Sequence, residues 1–124
     1  MFTIEEINYM LDEIAEELPK EIFLDLNGGV SLLAETKTSD KDPEGGLYTL
    51  GEYRHDQMGR YIVIYYGSLI AVHGYTTHKM MRNHLRDVLT HELTHHLESL
   101  AGERDLEIED EMDLNDYMDR KKKS

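Results

Sequence analysis

A chain of 124 residues with 40% apolar content suffices for one domain with a real core and is too short for two. Its net charge of −13 creates a field that repels phosphate backbones and acidic lipids, so neither nucleic acid nor a membrane surface is expected as a partner. There is no cysteine, which excludes a disulfide framework and any thiolate nucleophile or ligand.

The N-terminus has no basic n-region and no apolar h-region, and no apolar run approaches membrane-spanning length, so a cytoplasmic protein is expected. Thr3 followed by Glu6 is a capping-box signature. Ile4, Ile7, Met10/Leu11, Ile14 and Leu18 then recur at helical spacing, which predicts an amphipathic helix over residues 4–18, stopped by Pro19. Residues 22–26 and 30–34 are short apolar runs on either side of Asn27-Gly28-Gly29, the pattern of a hairpin or two short strands. Residues 36–46 form a polar loop expected to border a cleft. Residues 47–54 alternate loosely, Asp56 to Gly59 turns the chain, and Tyr61 to Tyr66 carries the strongest strand signal, β-branched and aromatic throughout.

Gly67 and Gly74 bracket a segment whose pattern assigns nothing. Residues 78–101 are helical in spacing, with Gly102 as the natural stop. A last helix is expected over residues 103–119, followed by a basic, solvated, disordered end at residues 120–124. The order of elements predicts one α+β domain over residues 1–119: an N-terminal helix, a small mixed or antiparallel sheet of three to four short strands, then two helices.

The pentad His91-Glu92-Leu93-Thr94-His95 stands inside the long predicted helix, with His96 directly behind it. Helical residues four apart share a face, so His91 and His95 can turn their imidazoles to one ion while Glu92 reaches a water on that ion. Two imidazoles, a third protein ligand and water in an open position make the hydrolytic centre of zinc peptidases. Chance alone would place such a pentad in roughly one chain in twenty of this composition, against which solvated histidines on a charged helix are the plain reading.

The pentad with His96, followed by Gly102-Glu103-Arg104-Asp105, resembles the minimal zincin-like metallopeptidase family of bacteria, whose signature is HExxHxxGxxD. Glu17-Leu18-Pro19-Lys20-Glu21 is similar to that family's leucine–proline segment, and Ile62-Val63-Ile64-Tyr65-Tyr66-Gly67 to the strand before its zinc helix. The resemblance implies a zincin-like fold, zinc held by His91, His95 and Asp105, and Glu92 as general base. One departure opens the third ligand. The family's glycine falls at Glu98 here, and Gly102 comes four residues later, roughly 6 Å further along the helix. Glu109 on the returning helix and Glu98 on the face of His91 and His95 therefore compete with Asp105. Glu98 has a further possible role, orienting an imidazole by accepting its other N–H.

Nearby residues have plain readings beside functional ones. His96 is a packing residue or an orienting donor, and Asp87 a solvated helix charge or a partner of His91. His73, Tyr75 and His78 are residues flanking the start of the helix or oxyanion donors. The expected function is zinc-dependent hydrolysis of peptide bonds, with a peptide or protein substrate. The alternative is a metal-stabilised module of the same architecture that binds a partner and cleaves nothing.

Overall fold

The computed structural model describes residues 1–41 and 46–103. Helix α1 (Ile4–Glu17) begins where the sequence predicts it: the Glu6 amide donates to Thr3 Oγ1 at 3.1 Å and the Thr3 amide to Glu6 Oε1 at 3.0 Å. These two bonds satisfy donors the first turn would otherwise leave open. A short 3-10 helix (Lys20–Phe23) follows Pro19. Five strands then form two sheets: β1 (Gly29–Leu33), β2 (Lys37–Thr38), β3 (Tyr48–Thr49), β4 (Gly51–Asp56) and β5 (Gly59–Tyr65). Helices α2 (Tyr66–His73) and α3 (His78–Glu103) complete the described chain.

The main sheet has the order β1-β5-β4, with β1 parallel and β4 antiparallel to the central strand. The register places Leu32, Ile64 and Gly51 in one row and Val30, Ile62 and Tyr53 in the next. Both rows face the helices, where Ile62 and Ile64 join Ile7, Ile14, Leu85, Leu89 and Leu93 in the core. The opposite face carries Val63, Glu52 and Tyr65 in alternation, as the pleat requires. Strands β2 and β3 make a separate two-stranded antiparallel sheet. Ser68 at the start of α2 ties β2 down, accepting from the Lys37 amide at 2.8 Å and donating to the Lys37 carbonyl at 3.1 Å.

The α+β class holds, with several corrections of detail. Residues 22–26 form no strand: the 3-10 turn buries Ile22 in the core, and β1 pairs with β5 in place of a local hairpin partner. The polar segment 36–46 includes β2, and the unassigned segment between Gly67 and Gly74 belongs to α2. Helix α3 runs through Gly102 to Glu103 without stopping. The helix expected over residues 103–119 and the basic end at residues 120–124 lie outside the described residues. No helix among the described residues is long and apolar enough to cross a membrane.

Candidate metal and catalytic site

Because the whole pentad lies in α3, helical geometry decides where each side chain goes. Met81, Leu85, Leu89 and Leu93 recur every fourth residue and form the buried stripe. His91 and His95 lie on an exposed flank, and Glu92 falls on the border of the stripe, only 7% exposed. One helix thus sets two solvated imidazoles beside a buried carboxyl.

The two rings converge. His91 Nε2 and His95 Nε2 are 3.2 Å apart, with ring planes at 88°. His95 Nδ1 lies 3.1 Å from Glu98 Oε1. A carboxylate only accepts, so Nδ1 carries the hydrogen and Nε2 of the neutral ring turns a lone pair toward His91. Nitrogen donors at 2.0–2.1 Å from a tetrahedral zinc stand about 3.3 Å from each other, so the pair fits a shared cation. Glu98 touches the ring atom remote from that gap.

Glu92 is held from the sheet. Burial pushes its carboxyl above the ordinary range, against the opposing influence of His91, His95 and a hydrogen bond from the Tyr53 backbone N–H. That bond exists because β4 lies directly on α3 at Gly51. A Cβ there would stand 2.8 Å from Val88 Cγ1 and 3.4 Å from Glu92 Cγ. Gly51 and the Tyr53 amide are site residues that the motif does not reveal; a glycine inside a strand pattern was the signal available.

Strand β4 and helix α3 wall an open groove of about 790 Å³, with Gly51, Glu52 and Tyr53 on one side and His91, Glu92, His95 and Glu98 on the other. Glu52 reaches it from the outer face of the sheet, where it pairs with Lys37 and Arg54 and accepts from Tyr65 Oη at 2.7 Å. Burial acts to raise the Glu52 carboxyl, but Lys37 and Tyr65 outweigh it and hold the group low. Lys37 comes from the segment expected to border a cleft.

His96 has the packing role. It is fully buried, with Nε2 2.8 Å from the Leu24 carbonyl and Nδ1 2.9 Å from Tyr53 Oη. The carbonyl can only accept, so Nε2 donates and Nδ1 accepts from the tyrosine. Arg60 donates to the same tyrosine oxygen at 2.9 Å and pairs with Glu103 at 2.6 Å. Burial keeps His96 below the usual histidine range.

Asp87 is exposed on α3. None of the three oxyanion candidates lines the groove: His73 stacks on His84 with centroids 3.7 Å apart, His78 pairs with Glu6 at 3.3 Å, and Tyr75 is 95% exposed. Asp105 and Glu109 lie outside the described residues. Among the described residues, no three histidine, cysteine, aspartate or glutamate side chains come together as a metal-holding group.

No family model matches the chain, and no curated protein matches it. A solved structure does: a conserved hypothetical protein from Thermus thermophilus, 32% identical, covering 82% of this chain and 99% of that one with a TM-score of 0.69. The chain belongs to the family of this conserved hypothetical protein. These findings overturn the resemblance to minimal zincin-like metallopeptidases. The family relationship reaches a protein described only as hypothetical, and the described residues assemble two imidazoles without a third ligand.

Proposed function

We propose that the chain is a zinc-dependent hydrolase of peptide bonds. The observation that carries this reading is the 3.2 Å approach of His91 Nε2 to His95 Nε2 beside a buried Glu92. His91 and His95 would hold the metal, with Asp105 as the third ligand and Glu109 as its competitor. Zinc, when bound there, supplies the Lewis acidity that polarises a carbonyl and acidifies water.

The chain's own residues divide the remaining work. Glu92 takes the proton of the attacking water at its carboxylate and returns it to the leaving amine. The hydrogen bond from the Tyr53 N–H fixes that carboxylate, and its position on the edge of the core raises its proton affinity toward the range useful for transfer. A peptide substrate suits the groove because β4 is an edge strand. With the Tyr65 amide bonded to the Leu50 carbonyl at 2.9 Å, alternation turns Gly51, Tyr53 and His55 to the open side, where extended backbone can pair at Gly51 and His55 while the Tyr53 N–H stays on Glu92.

The exposure of both imidazoles favours one rival, a metal-stabilised module that binds a partner without cleaving it. Turnover of a mixed peptide library by the zinc-loaded full chain separates the two. Under the hydrolase reading, Glu92→Gln keeps its zinc and loses about 10²–10⁴-fold in turnover. Zinc binding with no cleavage by the unaltered chain overturns hydrolysis and leaves the binding module.

A further inference from the structure

We infer that Glu98 is the positioning residue of the histidine pair: its carboxylate fixes His95 in the Nδ1–H tautomer and so aims Nε2 of that ring at His91. This deepens the proposed metal site and rests on it only for the consequence for zinc. The geometry comes from the helix. Residues three apart are neighbours on a helical surface, and side chains lean toward the N-terminus, so Glu98 reaches back over His95. Its Oε1 stands 3.1 Å from Nδ1, while Nε2 of the same ring stands 3.2 Å from His91.

The tautomer matters because a neutral histidine side chain in water favours its hydrogen on Nε2. On His95 that hydrogen would point into the gap between the rings and exclude a cation. A carboxylate on Nδ1 reverses the preference, so the Nε2 lone pair faces the gap. Glu98 thereby serves the pair from outside it.

The test uses the full chain and two substitutions of this exposed residue, Glu98→Ala and Glu98→Gln. Nitrogen-15 NMR of the metal-free protein reads the His95 tautomer directly. The unaltered chain and Glu98→Gln, whose amide oxygen still accepts, are expected as Nδ1–H, and Glu98→Ala as Nε2–H. Competition with a chromophoric chelator then reads zinc affinity, expected to fall about 10–100-fold in Glu98→Ala and to recover in Glu98→Gln. An Nδ1–H tautomer that survives in Glu98→Ala overturns the inference, as does a glutamine variant no better than alanine. Zinc uptake with an unchanged tautomer leaves the hydrolase reading standing without this residue. A tautomer switch in a chain that takes up no zinc supports the role of Glu98 and sinks the hydrolase reading.

Discussion

Glu92 and its two flanking histidines share one helix turn and meet different solvents, and that contrast is what chemistry at this site would use. The carboxyl is buried against β4, so its proton affinity rises, whereas the imidazoles stay open to the groove. Glu92→Gln removes a partly desolvated charge while its amide oxygen still accepts from the Tyr53 N–H, so the metal-free melting temperature should not fall; a loss of more than a few degrees would show that the carboxylate stabilises the fold. Gly51→Val should cost about 1–3 kcal/mol in chemical denaturation, because its side chain overpacks the contact with Val88 and lifts β4 from Glu92. Unchanged stability would mean that β4 does not rest on α3. The pentad was legible because its residues are four apart on one helix. Gly51 and Tyr53 were not, since their contacts with α3 join positions distant in sequence.

At the scale of elements, His96 joins three of them: α3, the segment after the 3-10 helix through Leu24, and β4 through Tyr53. Its folded-state affinity for a proton is lowered by burial, and that of His73 by burial and by the nearby His84. Above the ordinary histidine value of 6.5 both folded and unfolded states are neutral at these rings. As pH falls through that value the unfolded chain takes up protons that the folded chain refuses, so stability declines. The melting temperature of metal-free protein should therefore fall between about pH 7.5 and 5. Replacing His73 and His96 together by glutamine should flatten that decline, and an unaltered slope would refute the assignment.

Helix α1 was marked by its capping box, and β5 by a run of β-branched and aromatic residues that proved almost wholly buried. Helix α2 escaped because it is short and largely apolar around its circumference, which leaves no polar face to betray its period. The parallel pairing of β1 with β5 is a long-range contact that no local turn signal encodes. Gly102 was a plausible stop by residue type alone, yet one glycine costs a long helix only about 1 kcal/mol.

For the molecule as a whole, a net charge of −13 on one small domain implies self-repulsion that salt should relieve. Raising salt from 0.01 to 0.15 M shortens the screening length from about 30 to about 8 Å, so the melting temperature should rise over that range. A flat or falling response would mean that paired charges such as Arg82 with Glu13 and Glu17 dominate. Everything functional depends on whether the gap between two imidazoles receives a metal ion or merely a shared proton. Zinc-edge anomalous diffraction from crystals of the zinc-loaded full chain decides this most directly. The account predicts one strong peak bonded to His91 Nε2 and His95 Nε2, together with a carboxylate from beyond residue 103. Rings still in contact with no peak between them, or a peak elsewhere on the surface, would contradict it.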